Sequence, residues 1–147
     1  MKVEAGEYET LRRWAAEMFE LTFEPLPNLK PEDHPISVLD ATAAGAPARA
    51  RQGLAMMIGD EVEMTAAFSP EEVARLDSHL RALALPTLSE MRLRVMKAVR
   101  RIAARGAIRS DDEYFLIRNA VEALGDKSNA QEFWRLLGDY ELRSSTS

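Results

Sequence analysis

Apolar residues recur at helical spacing through almost the whole chain, and nowhere do they alternate with polar ones over the length of a strand. Leu11, Trp14, Ala15, Met18 and Leu21 fall on one stripe at i, i+3, i+4, i+7 steps, with Glu9, Arg12, Arg13, Glu17 and Glu20 on the outer face. This pattern predicts a helix over about 6–22. Residues 24–36 then hold four prolines, which remove backbone donors and bias their predecessors away from helix. An extended, surface-packed connection is expected there. A short helix near 37–44, capped by Ser37, should follow and end in the small-residue break AAGAPA at 43–48.

Leu54, Ile58 and Val62, flanked by Met57 and Thr65, mark a further helix over about 48–66. Gly53 and Gly59 lie inside it, where glycine costs roughly 1 kcal/mol against alanine, so close backbone packing is expected at both. The stretch SPEEVARLDSHLRALALP has the clearest helix start: Ser69 as cap, Pro70 in the first turn, then Glu71 and Glu72 at the positive end of the dipole. Val73, Leu76, Leu80 and Leu83 give its stripe, with Pro86 as the stop. Thr87 and Glu90 form the signature of a capping box for the next helix, which buries Leu88, Met91, Val95, Val99 and Ile102 and ends at Gly106. Ser110 with Glu113 repeats the signature before a helix over about 111–124 that buries Tyr114, Ile117, Val121 and Leu124, with Phe115 off the stripe and Gly125 as its end. A last helix over about 129–142 packs Phe133, Leu136, Leu137 and Tyr140, with Trp134 on a flank. The expectation is an all-α fold: a single domain over 1–147 of five to six helices, orthogonal or bundle-like, with a frayed tail at 143–147.

At 147 residues, with 46% hydrophobic and 29% charged positions, the chain can bury a core of its own. It has no cysteine, which excludes disulfides, thiolate metal sites and Cys nucleophiles and suits a reducing compartment. No apolar run approaches the ~20 residues of a bilayer span, and the first residues mix acids with bases, so a cytoplasmic protein without a membrane partner is expected.

Local motifs for chemistry are absent. Neither His34 nor His79 lies in a metal-ligand spacing, and no nucleophile elbow, phosphate loop or dinucleotide fingerprint occurs. Hence no catalytic, cofactor or metal residue is assigned. Two acidic clusters remain. Asp111, Asp112 and Glu113 are explained by the helix start they occupy. Asp60, Glu61 and Glu63 end an earlier helix, and Glu61 borders the apolar stripe, where an arginine partner is expected.

Charge is what the helical pattern leaves unexplained. The net charge is −5, yet residues 92–109 carry seven bases and no acid. On a helical wheel Arg94, Lys97, Arg101 and Arg105 line one ridge, Arg100 lies further round, and Leu93 and Met96 also point away from the core stripe. A DNA-reading helix-turn-helix would aim Asp111, Asp112 and Glu113 at the phosphates, which opposes specific DNA binding. Exposed ion pairs contribute little to folding, so so dense a ridge is better explained by a partner. The expected function is a non-enzymatic interaction or regulatory module, acting on a protein partner or by self-association through Arg94, Lys97, Arg100, Arg101, Arg105, Arg109 and Arg118. The alternatives are an acidic antitoxin- or immunity-type inhibitor using Asp60, Glu61 and Glu63, a nucleic-acid-associated regulator, and an enzyme whose site is scattered along the chain.

Overall fold

Seven α-helices and two single 3-10 turns make up the secondary structure among the described residues, with no strand. The computed structural model describes residues 1–23, 27–124 and 130–146. The helices are α1 (Tyr8–Thr22), α2 (Pro35–Gly45), α3 (Pro47–Met64), α4 (Pro70–Ala82), α5 (Leu88–Arg105), α6 (Asp111–Leu124) and α7 (Ala130–Ser145). The all-helical expectation holds, but the count of five to six is too low. The short segment after the prolines is a full helix, α2, separated from α3 by a single residue. Pro47 opens α3 and forces its predecessor Ala46 out of helical geometry, to φ −146° and ψ 73°. One long helix thereby becomes two.

Local chemistry sets most helix starts. Ser69 Oγ accepts from the Glu72 backbone N–H, and the Glu72 carboxylate accepts in return from Ser69 N–H. Thr87 makes only the hydroxyl half of its box, accepting from Glu90 N–H at 3.0 Å. α2 starts differently from expectation. His34, not Ser37, is its cap, its Nδ1 accepting from Ile36 N–H with Pro35 at the first helical position. Ahead of α6, Ser110 Oγ accepts from Glu113 N–H, whereas the Glu113 carboxylate reaches past Ser110 to Arg109 N–H at 2.8 Å.

α4 ends at Ala82, well before Pro86. Ala84 takes a left-handed conformation, φ 57°, and the Leu85 N–H returns to the Leu80 carbonyl. This turn buries Leu85 and leaves Leu83, expected on the buried stripe, exposed. Leu21 is also exposed, because the last turn of α1 lies beyond the buried cluster that takes Leu11, Trp14, Ala15 and Met18. At Gly53 and Gly59 an added methyl group would meet neighbours at 3.5 Å or more, ordinary contact, so close packing does not require either glycine. Residues 24–26 of the proline-rich connection, Gly125 and the side chain of Leu124 lie outside the described residues. At the other end α7 continues helical to Ser145, and Arg143 donates to the Ile108 carbonyl at 3.0 Å.

The apolar side chains gather in two clusters. The first joins α1, α2, α3, the end of α4 and the first turn of α5 around Trp14, Met18, Leu54, Ile58, Leu80 and Leu88. The second joins the last turns of α5 to α6 and α7 around Val99, Ile102, Ile117 and Leu136. α5 therefore runs through both, and α3 packs along α6 beside it. Tyr114 and Tyr140, with ring centroids 5.6 Å apart, fasten α6 to α7. Each hydroxyl donates to a carboxylate on the other helix, Glu141 and Asp111 respectively, at 2.6 Å.

Candidate interaction surface

At its midpoint α5 leaves one cluster and enters the other, and the packing there is incomplete. A cavity of about 450 Å³ opens to solvent between α3, α5, α6 and α7. Its walls are apolar: Val62 of α3, Val95, Met96 and Val99 of α5, Leu116 of α6 and Phe133 of α7. Val95, expected in the core, is only half-buried because it faces this space. Glu63, Arg92, Arg100 and Asn119 are the polar groups around it.

The outer face of α5 borders the cavity. Leu93, Met96, Lys97 and Arg100 follow one another at i, i+3, i+4 and i+7 and so share a face. Leu93 is 51% exposed and Met96 49%. Lys97, Arg100 and Arg101 are exposed and make no hydrogen bond or ion pair with any described residue. Other bases of the expected surface have internal partners. Arg94 donates to the Lys2 carbonyl at 2.7 Å and to the Glu7 carboxylate, and the hydrogen bond to Glu7 holds that carboxyl below its usual pKa. Arg105 pairs with Glu113 and donates to the Ala107 carbonyl. Arg109 lies exposed in the turn before α6, and Arg118 stands 3.9 Å from Glu122 along α6. The seven bases thus divide, and among the described residues only Lys97, Arg100 and Arg101 are both without a partner and on the side of α5 that carries the exposed Leu93 and Met96.

The facing wall is acidic. Glu63 is half-buried at the cavity edge, and burial, then the nearby charges of Glu122 and Asp60, raise its carboxyl above the usual range. Asp60 accepts from the Asn119 amide at 2.8 Å. Among the described residues no ion pair crosses the mouth from Glu63 to α5. Arg92 donates instead to the Thr65 carbonyl and hydroxyl and so caps the end of α3.

The rest of the acidic trio does not form a surface. Glu61 is 2% exposed, and among the described residues it finds no arginine and neither carboxyl oxygen has a hydrogen-bond partner. Burial, reinforced by Asp60, pushes its pKa up to about 9, so it is an uncharged acid at neutral pH. The helical wheel hinted at this position, since 61 falls between 50 and 54 on the buried side of α3. At the start of α6, Asp111 accepts from Tyr140 and Glu113 holds Arg105, so two of its three acids already have partners. His34 and His79 each meet one glutamate, Glu20 at 3.4 Å and Glu17 at 2.8 Å. Among the described residues no three metal-ligating side chains converge.

No protein-family model, curated protein or solved structure matches the chain. Its surface geometry is therefore the basis for a functional reading.

Proposed function

We propose that the protein is a helical interaction module that binds a macromolecular partner through the outer face of α5. The observation that carries this reading is the juxtaposition of exposed Leu93 and Met96 with the unpaired Lys97, Arg100 and Arg101, at the edge of an apolar cavity. An apolar centre with a charged rim is the arrangement of protein interfaces, in which apolar contact supplies affinity and charge supplies orientation. A cavity lined mainly by hydrocarbon, with its few polar groups at the edge, suits a docked apolar group better than bond-making chemistry. No helix among the described residues is long and apolar enough to cross a membrane.

The test is affinity capture from the protein's own cells with wild type and the double variant Lys97→Glu, Arg101→Glu. These two side chains are exposed and unpaired among the described residues, so helicity by circular dichroism should be unchanged while the captured partner disappears. Equal capture by both proteins would overturn the reading. Arg94 is unsuitable for this purpose, because reversing its charge also breaks the contact with Glu7.

A further inference from the structure

The face around the cavity carries two unmatched needs at once. On the α5 side stand apolar side chains in water, Leu93 and Met96, and three cations without an anion partner among the described residues, Lys97, Arg100 and Arg101. On the α3–α6 side stand an open apolar cavity and, at its edge, the Glu63 carboxyl, which has no ion-pair partner among the described residues and is raised above its usual range by burial, then by the nearby charges of Glu122 and Asp60. Each side offers what the other lacks, but within one chain they flank the same mouth and do not meet.

Symmetry resolves this. A two-fold axis lying in the interface, parallel to the groove and between its walls, brings the basic wall of one copy over the acidic wall of the other. Every contact then forms twice. We propose that this face is the interface of a homodimer in which Leu93 and Met96 of each copy cover the cavity of the other, and Arg100 of each meets the partner's Glu63. The inference rests on the reading of α5 as an interaction face and names its partner as a second copy of this chain. An unrelated acidic helix would satisfy only the α5 side and would set its acids against Glu63 and Asp60. A nucleic acid would face the same repulsion. A second copy satisfies both walls.

The decisive experiment is sedimentation velocity on the full chain with two charge reversals, Arg100→Glu and Glu63→Arg. Wild type should sediment as a dimer. Each variant alone should weaken dimerisation by roughly tenfold or more, because like charges then face each other at two places. An equimolar mixture of the two variants should recover the dimer, since every reversed position now meets its complement. Because Glu63 is half-buried, Leu93→Asp, at an exposed position, serves as a second disruption, with helicity measured in every case. A wild type that stays monomeric, single variants that dimerise as wild type does, or a mixture that fails to re-associate would each overturn the proposal. A monomer that still captures a different protein through Lys97 and Arg101 overturns the dimer alone. Loss of both results overturns the interaction reading as well.

Discussion

Glu61 places an acid where the pattern of α3 otherwise buries apolar side chains. It lies on the buried side of α3 with neither oxygen hydrogen-bonded, and the fold holds it protonated. In the unfolded chain the same carboxyl ionises near its ordinary value of 4.5, whereas in the folded protein it ionises near 9. The folded state therefore binds the extra proton between these values, and stability falls as pH rises through that window, by up to about 1.4 kcal/mol per pH unit. Below pH 4.5 both states are protonated and the contribution is complete. Denaturant unfolding at pH 5 and at pH 8 should show this loss in wild type and a much smaller one in Glu61→Gln. Glu7 and Asp40, which arginines hold in the ionised form, contribute stability that is lost toward acid pH, and they cancel in this comparison. Identical pH slopes for the two proteins would show that Glu61 is not the titrating group. Such a residue was visible in the sequence only as an acid bordering an apolar stripe; which side chains surround it depends on how α3 packs.

At the scale of single helices, two left-handed residues end consecutive elements and differ in kind. Gly106 follows α5 at φ 80°, where glycine carries no side-chain penalty, and Ala84 follows α4 at φ 57°. A side chain in this region costs roughly 1–2 kcal/mol, offset in part by the greater chain entropy of glycine. Gly106→Ala should therefore destabilise the protein by roughly 1 kcal/mol. Beyond its own chain neighbours nothing among the described residues stands within 4 Å of the added methyl, so the cost lies in the backbone conformation and not in packing. Ala84→Gly should stabilise it by a few tenths to about 1 kcal/mol. Urea unfolding midpoints that move in the same direction would contradict the account. Gly106 was legible as an end because glycine is the usual residue there, and Ser69 and Thr87 were legible as starts for the same kind of reason. The end of α4 was not, since Leu85 turning into the first cluster, and not Pro86, stops the helix. The His34 cap was equally hidden, because an imidazole seldom takes the place of a serine or threonine.

For the molecule as a whole, α5 is the element on which both clusters and the proposed interface depend. Its ends are buried in different clusters and its middle borders the cavity. If the dimer is held by the opposed walls of Arg100 and Glu63, its dissociation constant should rise steeply with salt. Raising ionic strength from about 0.01 M to about 1 M shortens the screening length from about 30 Å to about 3 Å. Sedimentation equilibrium across that range should show progressive dissociation, and a salt-independent constant would assign the association to Leu93 and Met96 alone. The helical class, the main stripes and the caps at Ser69 and Thr87 followed from the amino-acid order, because spacing along a helix and the first-turn hydrogen bonds are settled within a few residues. The same spacing placed Leu93 and Met96 away from the core. Which bases are free could not follow from it. Arg94 is neutralised by a glutamate 87 residues away, and Arg105 by one across a turn whose path depends on packing. The cavity, and the acidic wall that faces α5 across it, exist only because two helices far apart in the chain, α3 and α6, lie side by side in the folded protein.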